Sequence, residues 1–186
     1  MKLGFAFCGS FCNHNTVLDI YEQLAEKYEL FPILSENAAR SDTRFGKAED
    51  FTEHVERIAG RNAVKTIVEA EPLGPSNAMD VLVIAPCTGN TLAKLAAGVT
   101  DGPVTMAAKS HLRNGKPVVL AIASNDGLSA SAGNIAALLN RKHYYFVPFG
   151  QDNPVAKPTS LIADFSKIEE TVLAAMEDRQ IQPVLL

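Results

Sequence analysis

The sequence lacks the features that mark several large classes of protein. No apolar run approaches the roughly 20 residues that a membrane-spanning helix needs, and there is no internal repeat or low-complexity segment. The 17 basic residues form no cluster and are outnumbered by 21 acidic ones, which argues against nucleic acid or an anionic membrane as the main partner. Three cysteines are an odd number and too few for a disulfide framework, so a reducing, cytoplasmic setting is expected.

What is present fits a globular protein. The chain has 186 residues, of which 47% are apolar and 20% charged, enough for one domain with a substantial core. The apolar start, Met1–Phe7, is too short for the core of a secretory signal and is better explained as a first buried strand. Cys8 and Cys12 lie near His14 but lack a second pair of ligands at zinc-binding spacing, so no metal site is predicted.

Two kinds of apolar segment alternate along the chain. Nearly continuous apolar runs are typical of strands covered on both faces, and they predict strands at Leu3–Cys8, Leu30–Leu34, Asp80–Ala85, Pro117–Ala123 and Tyr144–Phe149. Apolar residues at helical spacing predict helices within Val17–Tyr28, Phe51–Ala59, Thr91–Ala97, Pro103–Arg113, Asn134–Leu139 and Leu161–Arg179. This alternation predicts an α/β fold with a doubly wound parallel sheet, in a single domain over residues 1–186.

Ligands of such sheets bind outside the carboxyl ends of the strands, so the segments that follow the predicted strands are the candidates. In the first, Cys8–Thr16, Gly9 allows close backbone approach and Ser10 supplies a hydroxyl beside a helix start. The stretch is neither G-x-G-x-x-G nor a Walker A loop. An ordinary strand-to-helix turn with an asparagine N-cap is the simpler explanation of this stretch alone.

The segment APCTGNTLAK, Ala85–Lys94, follows the third predicted strand. Its residues Thr88–Thr91 offer more hydrogen-bonding groups than one N-cap needs. A phosphate at this helix end would use the surplus, and a well-capped helix is the alternative. Polar segments also follow the second and fourth strands, at Ser35–Gly46 and Ser124–Asn134. Four polar strand ends together predict one extended site for a phosphorylated, partly aromatic ligand, most simply a mononucleotide cofactor.

Catalytic groups are harder to identify from the residues. Glu69 and Glu71 lie in a predicted loop before the third strand, where a carboxylate could act as a general base, although a solvated glutamate is the commoner case. Cys87 lies inside the predicted site, but no histidine stands beside it in sequence. A small packing residue is therefore expected there rather than a nucleophile.

The Ala85–Lys94 segment resembles the A-P-x-[ST]-A-N-T-x-A-K signature of the homo-oligomeric flavin-containing cysteine decarboxylases. The resemblance continues through LAAGVTD at Leu95–Asp101, and it includes the Gly9-Ser10 turn and SENAARSDTRF at Ser35–Phe45. It implies a three-layer, Rossmann-like fold and FMN held by these loops. It also implies a homo-oligomer, commonly a trimer or a multiple of trimers.

Two departures count against the decarboxylation of a cysteine. The decarboxylases carry a catalytic histidine before the strand that ends in A-P, whereas Glu69–Asp80 (EAEPLGPSNAMD) contains none. Their P-A-M-N motif is also altered, because Asn125 matches the asparagine while Ser124 replaces the methionine and Ile122 the proline. Flavin binding is compatible with both departures.

Nearly the whole chain resembles the B-subunit family of the dipicolinate synthases of spore-forming bacteria, above all over Glu71–Ala130 and Tyr144–Phe165. The resemblance implies oxidation of a dihydrodipicolinate-level intermediate to dipicolinate in the cytoplasm of the mother cell. It also implies a separate A subunit, which would bind the nicotinamide cofactor, NAD(P). This chain carries no clear nicotinamide fingerprint, which agrees with such a division of labour. An FMN-dependent decarboxylase and a non-catalytic scaffold for the A subunit are the alternatives.

Carried over position by position, the resemblance assigns roles to residues of this chain. The phosphate and ribityl chain of FMN would contact Gly9, Ser10, Ser35, Thr88, Asn90 and Thr91. The flavin ring would be approached by Ser124 and Asn125, of which Asn125 is also a catalytic candidate, and Pro86 and Cys87 complete the predicted cofactor-binding set. A dicarboxylate substrate needs cationic partners, for which the candidates are Arg40, Arg44, Lys109 and Arg113.

Overall fold

The computed structural model describes residues 1–186, and its helices surround one seven-stranded sheet. The strands are β1 (Lys2–Phe7), β2 (Glu29–Leu34), β3 (Val81–Cys87), β4 (Val118–Ser124), β5 (Tyr144–Phe146), β6 (Phe149–Asn153) and β7 (Lys157–Ala163). The helices are α1 (His14–Ala25), α2 (Glu36–Arg40), α3 (Ala48–Ala59), α4 (Ile67–Ala70), α5 (Gly89–Ala97), α6 (Pro103–Arg113), α7 (Ala132–Leu139) and α8 (Ile168–Met176).

The sheet is mostly parallel. Its order is β2-β1-β3-β4-β7-β6, and β5 pairs with β4 alongside β7. Strands β1 to β5 run parallel to one another, whereas β6 and β7 form an antiparallel hairpin whose strand β7 also pairs antiparallel with β4. One edge of β4 therefore carries two partners, β5 along Val118–Leu120 and β7 at Ala123 and Ser124. This arrangement confirms the predicted α/β, Rossmann-like fold.

The apolar runs explain why the central strands lie where they do. Every residue of β3 is buried, and so are all but the last residue of β4. Such strands need cover on both faces. Helices α1 and α8 pack on one face of the sheet and α5, α6 and α7 on the other, so that 47 buried residues form one hydrophobic cluster. The carboxyl ends of β1, β3 and β4 meet at one edge of this cluster, where the polar segments follow.

The prediction of one strand at Tyr144–Phe149 was wrong. The chain forms β5 over Tyr144–Phe146 and begins β6 only at Phe149, so that the two strands flank Val147 and Pro148. A proline has no N–H group to donate to a sheet ladder, which favours a break at this point. Strand β5 pairs with β4 and β6 with β7.

The prediction of a terminal helix over Leu161–Arg179 was also wrong at its start. Leu161 and Ile162 belong to β7, where they pair with Ser124 and Ala123 of β4. The helix α8 begins at Ile168, after a short 3-10 turn that Asp164 caps by accepting the N–H of Ser166. The apolar spacing of Leu161 and Ile162 fits a strand as well as a helix. Their pairing with β4 selects the strand.

Candidate functional site

A cavity of about 570 Å³ opens where β1, β3 and β4 end. Here it is called the edge cavity, and five of the predicted cofactor-binding residues line it: Gly9, Ser10, Thr88, Ser124 and Asn125. These residues come from three segments far apart in sequence, and the parallel sheet brings them together. The cavity volume is within the roughly 300–1,000 Å³ of small-molecule sites.

A smaller cavity of about 140 Å³ lies next to it and is called the hydroxyl pocket. Its wall includes Ser35, Thr88, Asn90 and Thr91, so Thr88 borders both spaces. Ser35 caps α2 by accepting the N–H of Ala38 at 3.2 Å. The carbonyl of Phe7, at the end of β1, accepts the N–H of Ser35. The fold therefore brings the second polar segment beside the first and third.

The first turn of α5 forms the boundary between the two cavities. The Thr88 hydroxyl accepts the N–H of Thr91 at 3.3 Å and lies 3.1 Å from the Thr91 hydroxyl. The other N–H groups of a first turn have no partner within the helix. Together with the positive end of the helix dipole, they favour an anionic ligand group at this position.

Gly89, the first residue of α5, lies in tight contact with a cluster of oxygen atoms. A Cβ at this position would be 2.6 Å from Ser131 Oγ and 2.7 Å from both Asp126 Oδ1 and Ser124 Oγ. The hydroxyls of Ser124 and Ser131 both donate to the Asp126 carboxylate. These two hydrogen bonds, led by that from Ser124, hold the pKa of Asp126 below its usual range. The Asp126 carboxylate is thus held in one position beside the amino end of α5.

Pro86 and Cys87 have a different environment from the other predicted residues. Both are buried in β3, and neither lines the edge cavity or the hydroxyl pocket. Burial raises the pKa of Cys87 well above its usual range and raises that of Cys8 to about 11. The Thr91 hydroxyl donates to Cys8 Sγ at 3.3 Å. Both thiols are therefore neutral, and that of Cys8 joins the end of β1 to the start of α5.

The catalytic candidates are separated in the structure. Asn125 is exposed and lines the edge cavity. Glu69 and Glu71 line neither cavity and lie in α4 and the 3-10 turn after it, so the predicted loop was wrong for both. The Glu69 carboxylate accepts the N–H groups of Lys65 and Thr66, at 2.8 and 2.9 Å. These bonds, that from Lys65 foremost, lower the pKa of Glu69.

Sequence reasoning missed one wall of the edge cavity. The β6–β7 hairpin supplies Asp152, Lys157, Ser160, Leu161 and Ile162. Within this hairpin, Lys157 Nζ and Asp152 Oδ2 form an ion pair at 2.6 Å. No local motif marks these positions, because they reach the site only through the pairing of β7 with β4.

The loop between α2 and α3 completes the rim. It contributes Arg44 and Phe45, and the Arg44 guanidinium lies 4.8 Å from the centre of the Phe45 ring. Of the four cationic candidates, Arg44 lines the edge cavity, whereas Arg40, Lys109 and Arg113 do not. Phe11, on the short turn after β1, adds a second aromatic side chain to the wall.

Two further properties of the molecule bear on its chemistry. The structure brings together no group of three or more His, Cys, Asp or Glu side chains that could hold a metal ion. None of the helices combines the length and the apolar character that crossing a membrane requires.

Known proteins share both this fold and much of this sequence. The dipicolinate synthase B subunit of Bacillus subtilis (strain 168) is 41% identical over 186 residues, which are the whole of this chain and 93% of that protein. A crystal structure of the dipicolinate synthase B subunit from Bacillus halodurans superposes with a TM-score of 0.91 at 42% identity, covering 100% of this chain and 95% of the other.

More distant structures share the fold alone. The FMN-dependent cysteine decarboxylase SpaF superposes with a TM-score of 0.70 at 23% identity, covering 94% of this chain and 97% of its own. The model of the Flavoprotein family matches residues 1–179. The resemblance found in the sequence is therefore confirmed over the full chain. The protein belongs to the Flavoprotein family and has dipicolinate synthase B subunits of two Bacillus species among its relatives.

Proposed function

We propose that the chain is the B subunit of a dipicolinate synthase, which holds FMN in the edge cavity. Together with a separate A subunit it would oxidise a dihydrodipicolinate-level intermediate to dipicolinate. The observation that carries the proposal is the 41% identity, over the whole chain, with a protein of that name. The cavity at the ends of β1, β3 and β4 supports it, since ligands of doubly wound sheets bind there.

The residues of the two adjoining cavities fit FMN. The hydroxyl pocket has a hydroxyl-rich wall and the first turn of α5, which suit a phosphate. The edge cavity is larger, and the aromatic rings of Phe11 and Phe45 border it together with Leu161 and Ile162. A ligand with one anionic end and one flat, partly apolar end matches this division. Thr88, on the border, would contact both parts.

Within this proposal each group of residues has a task. Those that would hold the phosphate and ribityl chain are Gly9, Ser10, Ser35, Thr88, Asn90 and Thr91, while Ser124 and Asn125 would lie along the ring. Bound FMN supplies a group that can accept hydride equivalents, and the protein orients it. The Asp126 carboxylate fixes Ser124 through its hydrogen bond, so that this hydroxyl is held in one position.

In this proposal the substrate is a dicarboxylate, and two cationic side chains line the edge cavity where they could bind it. Arg44 has no carboxylate partner within the protein and can present a planar pair of donors to one carboxylate. Lys157 faces the same space from the hairpin, already paired with Asp152. Leu161, Ile162 and Phe45 would exclude water from the apolar body of the substrate.

In this proposal the partner subunit supplies the nicotinamide-binding site that this chain lacks. It has no G-x-G-x-x-G segment after a strand, so we assign NAD(P) binding to the A subunit. We also propose a homo-oligomer, a trimer or a multiple of trimers, acting in the cytoplasm of the mother cell of a sporulating bacterium. Neither nucleic acid nor a membrane has a part in this function.

The test is FMN binding by the purified chain, followed by visible absorbance. Asn90→Asp places a carboxylate at the hydroxyl pocket, where Asn90 is exposed and part of the wall. Two unit charges about 8 Å apart at an effective dielectric constant of 20 repel by about 2 kcal/mol. The affinity for FMN should therefore fall at least tenfold.

The matched control is Gln23→Glu, which makes the same amide-to-carboxylate change on the exposed face of α1. It should leave FMN affinity unchanged. Equal affinities for the two variants would refute the role of Asn90, and no FMN binding by the unaltered chain would refute the flavin part of the proposal. A chain that binds FMN but adds nothing to the activity of the A subunit would be a scaffold.

A further inference from the structure

A third cavity, of about 420 Å³, lies apart from the flavin site. It is called the basic cavity and is formed by the end of α5, the middle of α6 and the segment that leads into β5. It shares no residue with the edge cavity, and of the hydroxyl-pocket residues it shares Thr105 alone. The edge cavity borders the first turn of α5 and the basic cavity the last. Its volume again lies within the roughly 300–1,000 Å³ of small-molecule sites.

The charge of its wall is unusual for this chain. Lys109, Arg141, Lys142 and His143 line the cavity, and no aspartate or glutamate does. Eight of the 17 lysine and arginine side chains form ion pairs with carboxylates, but Lys109, Arg141 and Lys142 form none. In a protein with a net charge of −4, three uncompensated cations around one concave space attract an anion.

Arg141 is held in place by the backbone of α5. Its Nη1 and Nη2 atoms donate to the carbonyl oxygens of Leu95 and Ala96, at 3.0 and 2.6 Å. Carbonyl acceptors do not neutralise the guanidinium, which has five N–H donors in all. The side chain is therefore ordered in advance, and it keeps donors and a full charge for a ligand.

The rest of the wall combines apolar side chains with the hydroxyl groups of Thr100, Thr105 and Tyr144. Leu95, Leu112 and Tyr144 supply carbon surface, and Tyr144 is 9% exposed. The Tyr144 hydroxyl makes no hydrogen bond within the protein, and burial raises its pKa to about 12. It thus remains a neutral donor at neutral pH. Apolar side chains beside cationic and hydroxyl donors match a small organic anion with an apolar body rather than an inorganic ion.

We propose that the basic cavity is a second ligand site, which binds a small organic dianion with a flat, apolar body, such as an aromatic dicarboxylate. Lys109 and Lys142 would pair with its carboxylates, Arg141 would donate to one of them, and the ring would lie against Leu112 and Tyr144. The site is independent of FMN, because it lies at the other end of α5.

The experiment is isothermal titration of the FMN-saturated chain with pyridine-2,6-dicarboxylate, and with the neutral pyridine-2,6-dicarboxamide for comparison. The test variant carries Lys109→Gln and Lys142→Gln. The control variant carries Lys47→Gln and Arg57→Gln, which remove the same two charges from exposed, unpaired positions outside the cavity. Thermal unfolding of both variants verifies that they fold.

The dicarboxylate should bind and the dicarboxamide should not. A lost charge-assisted contact costs roughly tenfold in affinity, so the test variant should bind at least tenfold more weakly. The control variant should stay within about twofold of the unaltered chain, since its charges are more distant and screened. Binding should persist in Asn90→Asp, which separates this site from the flavin site.

Four results would overturn the proposal. One is no binding of the dicarboxylate at millimolar concentration. A second is an equal loss of dicarboxylate affinity in the test and control variants, which would mean that the net charge of the protein attracts the dianion. A third is unchanged binding in the test variant, which would show that the dianion binds outside the basic cavity. If the test variant changed only the oligomeric state, the basic cavity would be a protein contact and not a ligand site.

Discussion

Replacement of Gly89 by alanine tests the packing that joins α5 to the segment after β4. The added Cβ would lie 2.6 to 2.7 Å from three oxygen atoms, those of Ser124, Asp126 and Ser131. Carbon and oxygen atoms do not approach so closely, so either the start of α5 or the Asp126 network must move. Overpacking of this kind costs about 1–3 kcal/mol of unfolding free energy.

The matched control is Gly133→Ala in α7. Nothing lies within 4 Å of a Cβ at Gly133. Any glycine-to-alanine change stabilises by about 0.4–1 kcal/mol through the unfolded chain when the native backbone tolerates it. This gain is common to both variants and cancels in their difference. Gly89→Ala should therefore be about 1–3 kcal/mol less stable than Gly133→Ala, or about 2–4 °C lower in Tm for each kcal/mol.

The assay is urea unfolding followed by circular dichroism, in two steps. The two single variants are compared first, and Gly89→Ala is then repeated in a Ser131→Ala background. Removal of the Ser131 hydroxyl relieves the shortest of the three contacts, so the cost of Gly89→Ala should be smaller there. Equal stability of Gly89→Ala and Gly133→Ala would refute the packing argument. A cost that is unchanged in the Ser131→Ala background would show that the strain lies elsewhere.

Two further predictions concern titration and substrate binding. His111 is buried with an unpartnered Nε2, and burial lowers its pKa from 6.5 to about 4. The unfolded chain therefore takes up a proton at higher pH than the folded chain does. The free energy of unfolding is thus undiminished above pH 6.5 and falls by roughly 3 kcal/mol as pH falls towards 4. Urea unfolding across this range should show a weaker pH dependence for His111→Gln than for the unaltered chain, and parallel curves would contradict the assignment. Arg44→Gln should raise the KM of the two-subunit enzyme for its dicarboxylate substrate roughly tenfold, whereas the exposed Arg40→Gln should not, and equal KM values would remove Arg44 from the substrate site.

Much of the candidate site could be predicted from the order of residues along the chain, for a physical reason. In a doubly wound parallel sheet the strands point the same way, so the segments after them meet at one edge. Gly9, Ser10, Thr88 and Ser124 could therefore be grouped without knowledge of their distances, and the structure does bring them to one cavity. One helix start could also be predicted, because proline is favoured in the first turn: α6 begins at Pro103, as expected.

Other features depend on contacts between distant parts of the chain. Leu161 and Ile162 have an apolar spacing that fits a helix, yet they pair with β4 and line the edge cavity. Glu69 is a candidate base by its position alone, whereas its carboxylate caps α4. In both cases the local sequence allows two outcomes. Pairing with β4 selects the strand for Leu161 and Ile162, and the backbone N–H groups at the start of α4 select the capping role for Glu69.

The sequence by itself thus determined the order of strands β1 to β5 and of the longer helices between them, the fold class and the polar strand ends, because these follow from periodicity and from residues close together in the chain. Only the tertiary structure decided that the β6–β7 hairpin closes the edge cavity and that Cys87 is buried beneath it. It also decided that Lys109, thirty-two residues before Arg141, shares a cavity with it. The reason is that burial and charge clustering are properties of surfaces that the whole fold creates, and pairing across the sheet sets which side chains meet on them.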